Sequence, residues 1–117
     1  MRPRERSLIA LRAAGYLVGL TEHFNPFVKR RIDLFHFADA VAIKPGNSIL
    51  AVQVCWKDLP KHIVSICLNP AAKVWLQAGG RIVIHSWAHR GQKGHKKWEL
   101  DVMRMELIKD EVVPVPF

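Results

Sequence analysis

The sequence predicts an α/β fold, one mixed β-sheet flanked by helices, and three patterns carry that expectation. Apolar and β-branched residues flank a KPGNS turn at residues 44–48, which makes residues 32–56 a β-hairpin. Two apolar helical segments follow at residues 59–68 and 70–78. Residues 81–88 then alternate as a strand does, and residues 97–107 supply its partner. The expected order is α-β-β-β-α-β-β.

Taken from the start, MRPRERSLIALRAAGYLVGL sets basic residues before an apolar run, as a signal peptide does. Arg12 interrupts that run and no small-residue cleavage site follows, so a folded first helix is the better reading, with an organellar transit peptide as its alternative. Leu8, Leu11 and Ala14 or Gly15 mark one side of this helix, and Gly15 supplies a stop. Residues 16–20 read as a short strand and residues 21–29 as a loop punctuated by Asn25 and Pro26. After the hairpin, Pro70 opens the second helical piece where a missing N–H costs least, and Gly79 and Gly80 close it. The segment HRGQKGHK links the last two strands. The tail VVPVPF holds too many prolines for a central strand. No repeat, linker or low-complexity segment interrupts the chain.

The 117 residues fit one domain, 1–117, with one hydrophobic core. Half of them are hydrophobic, which argues against disorder. A formal charge of +8 points to a polyanionic partner. Lipid surfaces would also attract that charge, but no run of eighteen uncharged apolar residues exists to cross a bilayer. Cys55 and Cys67 lack metal-ligand spacing, which suits a reducing, cytoplasmic setting.

Alternation along the hairpin puts Asp39 on a face with Val41 and Ile43, and Gln53 on one with Ala51 and Cys55. If the register joins those faces, one divalent ion could bridge Asp39 and Gln53 through hard oxygen ligands of the kind Mg2+ prefers. The bland alternatives are an ion pair of Asp39 with Lys29, Arg30 or Arg31, and a Gln53 that simply bonds a neighbouring strand. The six histidines form no recognised zinc pair; His23, His36 and His62 are candidates to contact a phosphate or position a water, against an ordinary surface or core role. Two basic segments suggest phosphate contacts: Lys29, Arg30 and Arg31, and then Arg90, Lys93, Lys96 and Lys97 around Gly91 and Gly94. The tryptophans at 56, 75, 87 and 98 could stack on unpaired bases; core packing is the default for Trp75, and Trp56, beside the proposed site, is the one candidate for substrate contact, with packing the better reading there too.

The elements GYLVGLTEHFNPFVKRRIDLF, FADAVAI, LAVQV, WLQAGGRIVIHSW and KKWE, in that order, resemble the PD-(D/E)xK nuclease superfamily over residues 8–99. Its members include Holliday junction resolvases and restriction endonucleases. The resemblance implies a restriction-endonuclease-like core and a metal-dependent DNA endonuclease using Mg2+ or Mn2+. It implies metal ligands at Asp39, Gln53 and Glu22, with Glu5 in the first helix as a further candidate and Asp33 more structural. The partners it implies are branched or duplex DNA and a second copy in a homodimer, in the cytoplasm of a bacterial or phage-infected cell. The superfamily pattern places a lysine two residues after the second ligand, where this chain has Cys55. An assisting lysine would then be Lys57 or Lys61, Lys57 reaching the Cys55 face if the strand continues. The alternatives are a DNA-binding protein that keeps the nuclease fold without catalysis, and a subunit of a larger nuclease or recombination complex.

Overall fold

A computed structural model describes residues 1–116; Phe117, the end of the apolar tail, lies outside the described residues. Helix α1 (Pro3–Ala13) begins with proline, whose absent N–H would have no helical partner there anyway. Glu5 in the first turn and Arg12 in the last suit the helix dipole. Gly15, at φ +93°, turns the chain out of the helix into β1 (Leu17–Leu20).

The segment at 21–29, expected as a loop, instead begins a separate hairpin of β2 (His23–Asn25) and β3 (Arg30–Ile32). The Asn-Pro pair marks its turn: Asn25 Oδ1 accepts from the Phe27 and Val28 backbones at 2.9 and 3.4 Å. The long strand expected from residue 32 is corrected as well. Leu34 and Ala38 exchange backbone hydrogen bonds at 3.0 Å around a turn in which Phe35 and His36 take positive φ. The strand that follows, β4 (Ala40–Ile43), starts just after Asp39.

Strand β5 (Leu50–Trp56) pairs antiparallel with β4 across the expected turn. Helices α2 (Leu59–Cys67) and α3 (Pro70–Gln77) carry the chain over the sheet to β6 (Arg81–Arg90), which runs parallel to β5. Asn69 caps α3 by accepting the Ala71 N–H at 2.9 Å. Gly80 is required by close approach, because a Cβ there would lie 2.4 Å from Trp75 Nε1. Strand β7 (Lys97–Ile108) returns antiparallel, and β8 (Glu111–Pro116) adds an edge strand that the predicted order lacked. Its prolines kept it out of the sheet interior and not out of the sheet, because an edge strand has one side that needs no N–H donor.

The result is an α/β fold with a mixed six-stranded sheet, ordered β1-β4-β5-β6-β7-β8. Two-residue alternation divides its core. Even positions of β5, Leu50 and Val52, pack with Leu11 of α1; odd positions, Ala51 and Cys55, pack with Ile66 of α2 and Ala72 of α3. Among the described residues, no helix is long and apolar enough to cross a membrane.

Candidate metal centre and flanking clefts

The candidate centre forms where β4 begins beside β5. The Asp39 N–H still donates to Val52 O at 2.9 Å, but the next β5 donor, Val54 N–H, is met by the Asp39 carboxylate at 2.7 Å. A side chain thus stands in for a strand carbonyl, which fixes the carboxylate at the sheet surface. Gln53 holds the same oxygen, donating from its NH2 at 2.9 Å. The sequence-predicted neighbours therefore do meet. They meet by a direct hydrogen bond in which Gln53 acts as a positioning group toward Asp39, in place of two ligands facing each other across an ion.

Two further acids complete the cluster. Glu22 follows β1, whose end lies beside Asp39 through Thr21 N–H to Asp39 O at 3.0 Å. Asp33 flanks the Leu34–Ala38 pair on one side and Asp39 flanks it on the other, so the small turn folds the two carboxylates together. Oxygens of Glu22, Asp33 and Asp39 all lie within 4.8 Å of one another. Three hard oxygen donors at this spacing suit a divalent ion. Asp33 was expected to be structural and instead belongs to this set, while Glu5 is exposed on α1 and lines no part of the cleft.

Asp39 is only 7% exposed. Burial, then the neighbouring Asp33 carboxylate and the Glu22 charge, push its pKa up to about 8 against the pull of the Val54 N–H. The surrounding cleft, about 320 Å³, supplies the opposite charge: Arg2, Arg4 and Arg31 line it with Glu22, Asp39, Cys55 and Trp56. Glu22 meets Arg4 at 3.0 Å and Arg31 at 3.6 Å. Cys55 is buried and its thiol pKa is raised by that burial, so it acts as a small apolar wall.

Neither candidate lysine lines this cleft. Strand β5 stops at Trp56, and Lys57, at φ +78°, leaves the strand parity that would have carried it to the Cys55 face. Its ammonium sits 4.3 Å over the Trp56 ring. Lys61 is exposed on α2. His23 and His36 are exposed and His62 half-buried, all outside the cleft lining.

A second cleft, about 460 Å³, lies on the other side of Trp56 and is lined by Lys57, Trp87, His89, Arg90, Lys96 and Asp101 among others. Of the expected phosphate contacts here, Arg90 is already paired with Asp101 and Glu99, whereas Lys93, Lys96 and Lys97 are exposed on the β6–β7 hairpin. In the first basic segment, Lys29 and Arg30 are exposed on the β2–β3 hairpin and Arg31 reaches the acidic cluster. A larger hollow of about 570 Å³ beside α2 and β7 has Asp101 as its single charged lining residue among those described, and Asp101 is committed to Arg90.

One polar group escaped sequence reading. Ser7 of α1 is 1% exposed; its Oγ accepts from Trp87 Nε1 at 2.8 Å and shares a hydrogen bond with His85 Nδ1 at 2.9 Å. Burial lowers the His85 pKa to about 4, so the ring is neutral. His85 and Trp87 share a strand parity that the sequence showed, but the serine that joins them lies 78 positions before His85.

No protein-family model matches this chain, and neither does any curated protein sequence.

Proposed function

We propose that this chain is a metal-dependent endonuclease of the PD-(D/E)xK type, acting on branched or otherwise structured DNA. One observation carries the reading: three carboxylates, Glu22, Asp33 and Asp39, gather within 4.8 Å just before β4, and two of them, Glu22 and Asp39, line a cleft together with Arg2, Arg4 and Arg31. Metal-dependent phosphodiester hydrolysis uses this juxtaposition, with oxygen ligands for a hard cation beside N–H donors for the phosphate. When bound, Mg2+ or Mn2+ would supply Lewis acidity and an activated water.

The chain's own residues prepare the site. Asp39 and its neighbours offer the oxygens, and Gln53 fixes the Asp39 carboxylate in place through its NH2. Arg4 and Arg31 restrain Glu22 and carry N–H groups suited to a phosphate. Lys57 or Lys61 would assist through movement of a flexible side chain, and replacing the assisting one with alanine lowers cleavage roughly tenfold or more.

A second reading, a nuclease-fold protein that binds DNA without cutting it, is favoured by Gln53 and Cys55 at the pattern positions and by a cleft lining that holds no lysine. A cleavage assay on linear, flapped and four-way DNA, with Mg2+ or Mn2+ and with EDTA, separates the two. The nuclease reading expects metal-dependent cutting that Asp39→Ala abolishes while DNA binding persists. Cutting at full rate by that variant would rule out this centre, and binding without cutting under any metal would leave the second reading.

A further inference from the structure

We infer that Trp56 is a stacking platform for an unpaired base, so that the substrate of the proposed site is nucleic acid with a single-stranded segment next to the scissile position. The inference deepens the nuclease reading and rests on it only for the place of the cut. The other tryptophans have structural employment. Trp75 donates its Nε1 to Arg81 O at 2.9 Å, Trp87 donates to the buried Ser7, and Trp98 is sandwiched in contacts with His89, at 4.8 Å and 12° between planes, and with Arg6. Trp56 differs. It is 46% exposed at the end of a central strand, and its Nε1 makes no hydrogen bond among the described residues. It touches Trp98 in an edge arrangement at 5.7 Å, which fixes the ring without covering it.

Position turns that exposure into a function. Trp56 lines both the acidic cleft that holds Asp39 and the second cleft that holds Lys57 and Lys96, so a strand running between the two must pass over its ring. Strand β6 continues three residues beyond the end of β5, and this leaves the notch into which such a strand fits. Arg90 is neutralised by Glu99 and Asp101, which leaves Lys57 and Lys96 to face the phosphates. Lys57 now rests over the indole. An exposed cation–π contact of that kind is weaker than base stacking, so an incoming base displaces the ammonium toward its own phosphate. Duplex DNA keeps its bases paired and cannot use the ring, whereas an unpaired base of any identity can.

The test is equilibrium binding of dye-labelled oligo(dT) and of a duplex of equal length, both in EDTA. Trp56→Ala is expected to weaken single-strand binding by roughly tenfold or more, and to leave duplex binding within about twofold. Trp56→Phe, which keeps an aromatic face at the same place, should restore most of the single-strand affinity. Equal losses on both ligands, no loss on either, or a phenylalanine variant as weak as the alanine one would overturn the inference. Because no metal is present, a protein that stacks single strands and never cuts would refute the nuclease reading and keep this one. Cutting without any Trp56-dependent single-strand binding would do the reverse.

Discussion

Asp39 holds its place at a cost. Its pKa stands near 8, so between about pH 4 and 8 the folded protein keeps a proton that the unfolded chain would release, and stability of the metal-free protein falls as pH rises through that window. Asp39→Asn removes the charge and keeps an oxygen for the Val54 N–H. We expect it to raise metal-free stability at pH 8 by at least about 1 kcal/mol, the worth of one pKa unit, and to abolish stabilisation by Mn2+; thermal melts with and without the metal read both effects. For the unaltered protein, metal binding must expel the Asp39 proton, so apparent affinity should rise with pH up to about 8. Titrations that find affinity flat across that range would dissociate Asp39 from the ion. His85 has the opposite sign. With its pKa lowered to about 4 from 6.5, it stays neutral in the fold while the unfolded chain takes up a proton, so acidification from 6.5 toward 4 destabilises the protein by up to about 3 kcal/mol. Ser7→Ala should cost about 1–3 kcal/mol by orphaning the Trp87 indole, and denaturant melts of the two proteins measure it. The meeting of Asp39 with Gln53 was legible because strand periodicity and a turn signal fix it. The approach of Asp33 was not, because it depends on Phe35 and His36 adopting positive φ, which side-chain type does not announce outside glycine and a few polar residues.

Among the elements, α2 and α3 were plain from their apolar spacing, and α3 also from Pro70 and the closing Gly79 and Gly80, since each signal acts within one helical turn. The β2–β3 hairpin and the edge strand β8 were not, for three-residue strands show too little periodicity and proline is compatible with an edge. Under the proposed function the β6–β7 hairpin is the element for phosphate contact. Arg90 was expected to touch phosphate and is occupied by Asp101 and Glu99, so the proposal rests there on Lys93, Lys96 and Lys97. Replacing those three lysines with alanine should flatten the plot of log duplex affinity against log salt by up to about 0.9 for each phosphate no longer neutralised, with base preference unchanged. An unaltered slope would move the DNA surface to the β2–β3 hairpin and its Lys29, Arg30 and Arg31.

For the molecule as a whole, the mixed sheet was legible, because a hairpin signal specifies antiparallel neighbours and two helical segments between strands specify a crossover; which two strands run parallel, β5 and β6 at the centre, came only with the structure. That crossover leaves the two clefts sharing one end of β5. Under the proposed action on symmetric junctions, two such ends are needed, and light scattering of the protein with four-way DNA should give the mass of the DNA plus two 13.4 kDa chains per complex. A single chain per junction would restrict the enzyme to flaps or overhangs.

The buried Ser7 hydroxyl has one more effect, on local opening. Terminal helices ordinarily fray on their own, well below the free energy of global unfolding. Lifting α1 off the sheet would strip partners from the Trp87 indole and the His85 ring at once, both on the central strand β6. The first helix is thereby tied to the middle of the sheet. Arg4, which steadies Glu22, rides on that helix, so its side of the cleft is expected to open only at that added cost, and amides of α1 should exchange with solvent more slowly in the unaltered protein than in Ser7→Ala.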